Sequence, residues 1–412
     1  MIVSNRSRSA AKSPRDIHLE LRTFFETAKI TGTDIRSFAD VRVPVYENEF
    51  WTAKQRDGHS IHEVSYRACY KSQLPAFFIE RFCEADDTIY DPFMGRGTTL
   101  VEAQMHFCRA IGNDVNPLSW VLAGPRLAIP AISAVEERLH ELIFPSVEIE
   151  DDDLLVFFDP RTLREIYGWR EYFHRRTERH EFDEVDAWLQ MVAVSRLTGH
   201  SKGFFSVYTL PPNQATSVKR QRKINQDRNQ KPEYRDTKAL IFRKTRQLLR
   251  DPLPRGYNRG DALLLTESAD STTQIPSDSV KLIVTSPPFV DTVDYIADNW
   301  MRMWFCRVDF PSEKLWKLRS LDQWVARMTD TLRELRRVLR DDGRIAFEVG
   351  EVRNGVLLLE NEIVKAGVEV GLVPDCIMIN SQTFTKTANC WGVENNSKGT
   401  NSNRIVVFKK NS

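Results

Sequence analysis

Ser286, Pro287, Pro288 and Phe289 directly follow the apolar run at 280–284 and its Thr285. Each offers something that a planar, amine-bearing group could use. The prolines fix φ and carry no N–H, so they hold a rigid corner whose neighbouring carbonyls point outward as acceptors. The Ser286 hydroxyl accepts through a lone pair, and Phe289 presents a flat face for stacking. An acceptor pair beside a stacking face is a receptor for a ring bearing an –NH2. A second constellation lies upstream, in DPFMGRGTT at residues 91–99. Gly95 and Gly97 let backbone N–H groups come close to a ligand, and Thr98 or Thr99 opens the next helix with a hydroxyl suited to its N-terminus. Asp114 falls 19 residues after Gly95, where an acid can take both hydroxyls of a ribose. The third glycine of a dinucleotide fingerprint is missing and no Gly-Lys-Ser/Thr follows, so the expected ligand is a nucleoside without a pyrophosphate to grip.

The elements around these residues have the grammar of an α/β sheet. TIY at 88–90 is β-prone, the glycines break it, TTLVEAQMHF reads as a helix, and RAIGND as a second short strand. The pattern returns after residue 255. A strand is expected at Val280–Val284. The three-to-four spacing of Leu321, Trp324, Val325, Met328, Leu332, Leu335, Val338 and Leu339 predicts a long amphipathic helix. A turn at Asp341–Gly343, a strand in RIAFEVG and a final strand at 403–410 complete the set. In a parallel sheet, ligands sit at the carboxyl ends of strands, which is where both constellations fall.

Between these halves, residues 126–254 carry helical patterns. EIEDDD at 148–153 reads as a solvated turn. From Lys219 to Arg250, twelve basic residues face three acidic ones, a charge of +9 within a chain whose net charge is +1. Lys219, Arg220, Arg222, Lys223 and Arg228 lead this stretch, and NQDRNQ at 225–230 adds amides able to read base edges. GHSKGFFSVYTLPPN at 199–213 reads as a loop near the site, with His200 in a structural role. The expected organisation is a disordered basic tail and lead-in over 1–45, a cofactor-binding half over 46–125, a mainly helical inserted region over 126–254 and a catalytic half over 255–412.

At 412 residues with 41% hydrophobic and 28% charged residues, the chain can bury a sizeable core. No run of eighteen apolar residues suggests a membrane span, and the first residues lack a signal-peptide core. The six cysteines contain no CxxC pair, which argues against a zinc site or a disulfide framework and fits a reducing cytoplasm. No metal is expected.

DPFMGRGTT, GNDVNP and TSPPF together resemble the S-adenosylmethionine-dependent DNA amino-methyltransferases, with weaker matches in YRACYKSQLPAFFIERF, RGDALLL and GRIAFEVGE. The resemblance covers residues 60–120 and 255–412; the insertion has no counterpart. It implies a Rossmann-like methyltransferase sheet with helices on both faces and S-adenosyl-L-methionine as cofactor. Asp91, Phe93, Gly95, Gly97 and Thr98 would line the methionine end, Asp114 would hold the ribose, and Asp261 would meet the adenine amino group. Lys71 and Ser72 lie near the expected contact before the loop. Ser286, Pro287, Pro288 and Phe289 would form the catalytic corner, and the insertion, by position, the target-recognition region. The implied substrate is an exocyclic amine on a base flipped from double-stranded DNA. By the resemblance, serine before Pro-Pro leans to N4 of cytosine, and Asp or Asn there leans to N6 of adenine. N6-adenine and an RNA amine stay as alternatives. C5-cytosine chemistry needs a cysteine after a proline, and no Pro-Cys occurs. A bacterial or archaeal, nucleoid-associated cytoplasmic protein is implied, either solitary or serving beside a cognate restriction endonuclease without a stable complex. A nicotinamide oxidoreductase or a non-enzymatic DNA-binding module would leave one or both motifs unused.

Overall fold

The computed structural model describes residues 33–38, 40–51, 58–67, 69–210, 212, 215–257, 260–288, 295–309, 316, 318, 320–350, 357–381 and 402–411. Nine strands form one sheet: β1 (Thr33–Phe38), β2 (Val41–Asn48), β3 (Thr88–Asp91), β4 (Arg109–Asn113), β5 (Leu263–Leu265), β6 (Val280–Thr285), β7 (Leu339–Val349), β8 (Leu372–Ser381) and β9 (Ser402–Lys410). Their order across the sheet is β1-β2-β8-β9-β7-β6-β3-β4-β5. The run β7-β6-β3-β4-β5 is parallel throughout, while β9 pairs antiparallel with both β7 and β8.

Strand β6 shows why this sequence forms a central strand. All six residues of VKLIVT are buried, as expected of a parallel strand covered on both faces. Leu282 and Val284 join one core and Val280 and Ile283 the other, following the two-residue period of a strand. The second core is closed by α10 (Leu321–Val338), which buries Trp324, Met328, Leu332 and Leu335, and by α11 (Leu359–Glu369). Ser320 caps α10, and Arg336 and Arg337 lie in its last turn. The first core is closed by α1 (Gln73–Phe82), α2 (Thr98–Met105), α3 (Leu118–Ala123) and the insertion, giving helices on both faces.

The described part of the insertion is helical: α4 (Ile132–Glu141), α5 (Pro160–Glu178), α6 (Glu184–Val194), α7 (Val218–Asp227) and α8 (Thr237–Leu248). Trp169 and Trp188 are fully buried, and their indole N–H groups donate to Thr237 and Thr245 of α8, each at 3.0 Å. This aromatic core is continuous with that beneath β3 and β4. The last described helix is α9 (Tyr295–Cys306).

Three sequence expectations change. Residues 33–38 and 41–48 are strands of the sheet, so the lead-in over 1–45 contains structure; residues 1–32 lie outside the described residues. The Asp341–Gly343 turn is an excursion within β7, where the pairing with β6 jumps from Val280–Leu339 to Leu282–Arg344. Strand β8 went unread because LVPDCIMINS mixes a proline and an acid into its apolar run. Cys69, Cys83, Cys108, Cys306 and Cys376 are free thiols. Among the described residues, no helix is long and apolar enough to cross a membrane.

Candidate active site

Strands β6 and β3 are neighbours, so the Ser286 corner and the glycine loop leave the same edge of the sheet side by side. Two bonds join them: Thr285 Oγ1 donates to Asp91 Oδ1 at 2.7 Å, and Thr99 Oγ1 donates to the Val284 carbonyl at 3.2 Å. Tyr70 completes the junction. Its hydroxyl donates to Asp91 Oδ2 at 2.7 Å and bonds the Thr99 hydroxyl. Sequence reasoning missed Tyr70, although it stands beside Lys71 and Ser72. It brings those two residues, at the N-terminus of α1, up to the loop.

The loop itself is held from below. Met94 N–H donates to the Asn113 carbonyl, Gly97 N–H to the Met94 carbonyl, and Gly95 N–H to Asp114 Oδ2 at 2.9 Å. Asp114 also accepts from Asn116 N–H at 2.9 Å, and burial pushes its carboxyl up. Arg96, the residue between the glycines, turns inward to the carbonyls of Val64 (2.6 Å) and His62 (3.0 Å). Asn113 clamps the carbonyls of Pro92 and Glu267. Phe93 packs edge-on against Trp316, with ring centroids 5.9 Å apart. Helix α2 opens with Gly97 at its N-cap and no side-chain cap. The expected capping hydroxyls are used elsewhere: Thr98 accepts from Arg96 at 3.1 Å, and Thr99 reaches Val284. The first amides of α2 are therefore left without a side-chain acceptor, the arrangement that favours an anionic or polar ligand.

Gly97 has φ +77°, and an added Cβ would stand 2.6 Å from Ala123 Cβ. Gly97→Ala is expected to cost about 2–4 kcal/mol, from left-handed strain and overpacking together. Urea unfolding measures it; a loss below about 0.5 kcal/mol would mean that α3 simply yields.

Asp91 is 1% exposed. Burial pushes its carboxyl up to about 6, against the donors Thr285, Tyr70 and Phe93 N–H, which hold it down. The unfolded chain titrates near the ordinary value, about 3.9. Between roughly pH 4 and pH 6 the folded state therefore keeps a proton that the unfolded state has released, and stability falls as pH rises through that window. Asp91→Asn removes this dependence. The stability of wild type relative to the variant is expected to drop by about 2–3 kcal/mol from pH 4 to pH 7. Denaturant titrations at several pH values test it, and a pH-independent difference would contradict it.

At the corner, Ser286 and Pro288 are partly exposed and Pro287 is buried; Phe289 lies outside the described residues. Trp324 Nε1–H donates to the Pro288 carbonyl at 2.8 Å. With the Val284 carbonyl taken by Thr99, two carbonyls flanking the corner turn into the protein, so the outward acceptors expected there are fewer. The Ser286 hydroxyl donates to Glu348, near the end of β7.

Asp261 is not brought to this site. It is exposed and precedes β5, whose Leu263 pairs with Ile111 in parallel, so it sits at the amino end of the sheet. Just beyond the carboxyl end of β5 come Glu267 and then Asp270. RGD drew attention to the wrong acid because the strand lies after it, in LLL. Glu267 is bound to Asn113 through its backbone, its Oε1 accepts from Gln274 at 2.9 Å, and its Oε2 is buried without a partner among the described residues.

The basic stretch divides. Lys219, Arg220, Arg222, Lys223 and Arg228 are exposed on α7 and its C-cap, although Arg222 is paired with Asp153 and Arg228 lies 3.8 Å over the Tyr208 ring. Further along, Lys244 is buried against Glu63, and Lys238 donates to the Leu142 carbonyl. The amides of NQDRNQ divide too. Asn225 donates to the Val156 carbonyl (2.7 Å) and Gln230 to the Tyr208 carbonyl (2.9 Å), so these two brace the protein instead of facing outward. The 199–213 loop reaches α9, the helix after the corner: Arg302 donates to the Pro212 carbonyl at 2.5 Å. His200 packs near Phe204. Among the described residues no three His, Cys, Asp or Glu side chains are grouped to hold a metal ion.

The fold and this edge define an α/β site for a nucleoside-type ligand beside a rigid acceptor corner. Comparison with known proteins adds that residues 31–118 match the family model described as DNA methylase. The chain is 31% identical over 134 residues to the type II methyltransferase M.MjaII of Methanocaldococcus jannaschii, covering 31% of this chain and 24% of that protein. It is 38% identical over 85 residues to the type II methyltransferase M.BsoBI of Geobacillus stearothermophilus, covering 20% and 16%. The chain thus spans about a quarter or less of the length of these curated relatives. A solved DNA modification methylase from Thermus thermophilus, complexed with S-adenosyl-L-methionine, is 22% identical, with a TM-score of 0.20 and coverage of 33% of this chain and 50% of that one.

Proposed function

We propose that this protein is an S-adenosylmethionine-dependent DNA methyltransferase that methylates the exocyclic N4 amine of a cytosine flipped out of duplex DNA. The observation that carries the reading is the adjacency of the two constellations: the Ser286 corner and the Gly95–Gly97 loop share one edge and are bonded through Asp91, Thr285, Tyr70 and Thr99. The family match, which covers the loop and Asp114, supports the same reading.

The residues present fit the cofactor. The amides opening α2 suit its carboxylate end, and the unpartnered Glu267 oxygen suits the amino group of a nucleobase. Asp91, Phe93, Gly95, Gly97 and Thr98 shape the methionine end, with Lys71 and Ser72 beside them. Asp114 takes the ribose hydroxyls through the lone pairs left by its two backbone bonds. Glu267 replaces Asp261 in the nucleobase role. When bound, the sulfonium supplies an electrophilic methyl group, and no metal is required.

Ser286 and the Pro287 carbonyl then address the nucleophile. The amine of cytosine is flat because its lone pair is shared with the ring. Two acceptors at the corner take its hydrogens and turn that lone pair toward the methyl group, combining orientation with preorganised electrostatics. Phe289 stacks on the base, which must leave the duplex to reach the corner. The exposed face of α7 contacts phosphates.

Tritiated S-adenosylmethionine, unmethylated genomic DNA and purified protein, followed by digestion to nucleosides, test the reading. Label in N4-methylcytosine is expected. Label in N6-methyladenine keeps the mechanism and reassigns the base; label in RNA alone moves the substrate; no transfer to either overturns the reading.

A further inference from the structure

Glu348 is the penultimate residue of β7 and is 5% exposed. Thr285 pairs with Phe347 across β6 and β7, so Glu348 and Ser286 are the next residues along two adjacent parallel strands. The carboxylate accepts from the Ser286 hydroxyl and from Asn403 Nδ2–H, the latter at 3.0 Å on Oε1. Burial pushes its carboxyl up, and what opposes burial is these two hydrogen bonds, neither from a cation. Of the titratable groups around it, Tyr70 faces it from the segment before α1 and Asp91 lies one bond beyond, while Arg404 on β9 is paired with Glu360. A buried carboxylate without a cation is costly. A glutamine would make the same hydrogen bonds without that cost, so the charge calls for a role beyond packing.

Building on the proposed function, we infer that Glu348 is the positioning residue of the corner: it draws the Ser286 proton toward itself, leaving the Oγ lone pairs for the target amine, and receives the proton that leaves that amine. The step balances. The carbon–sulfur bond of the sulfonium breaks with its electron pair returning to sulfur, and the amine lone pair forms the new nitrogen–carbon bond. The nitrogen then gives a proton to Ser286 Oγ as the serine proton passes to the Glu348 carboxylate, which later releases it to water.

Single-turnover methyl transfer is compared in wild type and Glu348→Gln from pH 5.5 to 9, with KM for DNA and Kd for S-adenosylmethionine measured separately. The wild-type rate is expected to rise with pH as Glu348 ionises. Glu348→Gln should lose roughly 10²-fold in rate with KM and Kd within about twofold, and lose that acid limb. Glu348→Asp should recover part of the rate and keep the limb, and circular dichroism checks that each variant is folded. A folded Glu348→Gln with wild-type turnover, a variant that keeps the limb, or a wild-type profile flat from pH 5.5 overturns the inference alone. A wild type that methylates neither DNA nor RNA overturns the proposed function and this inference with it.

Discussion

Ser286→Ala is expected to slow single-turnover methyl transfer by roughly 10³-fold while leaving S-adenosylmethionine affinity within about twofold. The separation of effects follows from the layout. Ser286 leaves β6, whereas the residues assigned to the cofactor stand on the β3 loop, at the end of β4 and just past β5. The substitution deletes an acceptor from the target side only. It also deletes the donor to Glu348, leaving a buried carboxylate with Asn403 as its remaining side-chain donor. Some loss of stability, about 1–3 kcal/mol, should therefore accompany the loss of rate. Rapid quench under saturating DNA and cofactor measures the first, calorimetric titration the affinity and denaturant unfolding the stability. Undiminished transfer with intact binding would remove Ser286 from the mechanism. A large loss of cofactor affinity would instead mean that the corner and loop act as one binding unit.

Replacing Lys219, Arg220, Arg222, Lys223 and Arg228 together by glutamine is expected to weaken duplex binding by on the order of 10²–10³ at 0.15 M salt and to flatten the dependence of log K on log salt by about 4. Four is more apt than five because Arg222 already has Asp153 as a partner. The loss should be similar for every DNA sequence, since phosphate contacts position the duplex without reading it. Fluorescence anisotropy over a salt series checks both numbers. An unchanged slope would mean that the DNA lies on another face. Folding should be little affected, because all five side chains are exposed.

The sequence made the strand ends legible where chemistry forces unusual residues onto them. Paired prolines after a six-residue buried strand, and two glycines before a helix, have few structural uses, and both were placed at the correct edge. Spacing alone did less well. Asp261 looked right by its neighbours in RGD but precedes its strand, whereas Glu267 follows it; three consecutive leucines do not say where a strand begins. Tyr70 and Asn113 carry much of the wiring and left no periodic signal, because their work depends on strands that meet only after folding. Asn225 and Gln230 misled in the opposite way: amides in a basic run suit a reading head, yet here they satisfy the Val156 and Tyr208 carbonyls.

The pairing of β3 with β6 has a consequence in time. Ile89 and Leu282 are partners across the sheet, yet nearly two hundred residues of chain separate them. At the usual pace of synthesis, β3 waits roughly 10–40 s for the neighbour that completes its parallel ladder. Helices α4 to α8 emerge during that wait and can cover the apolar face beneath β3 and β4. The loop is thus made early and the corner late, so a nascent chain halted before residue 280 carries the glycine loop with no Ser286 to work beside it.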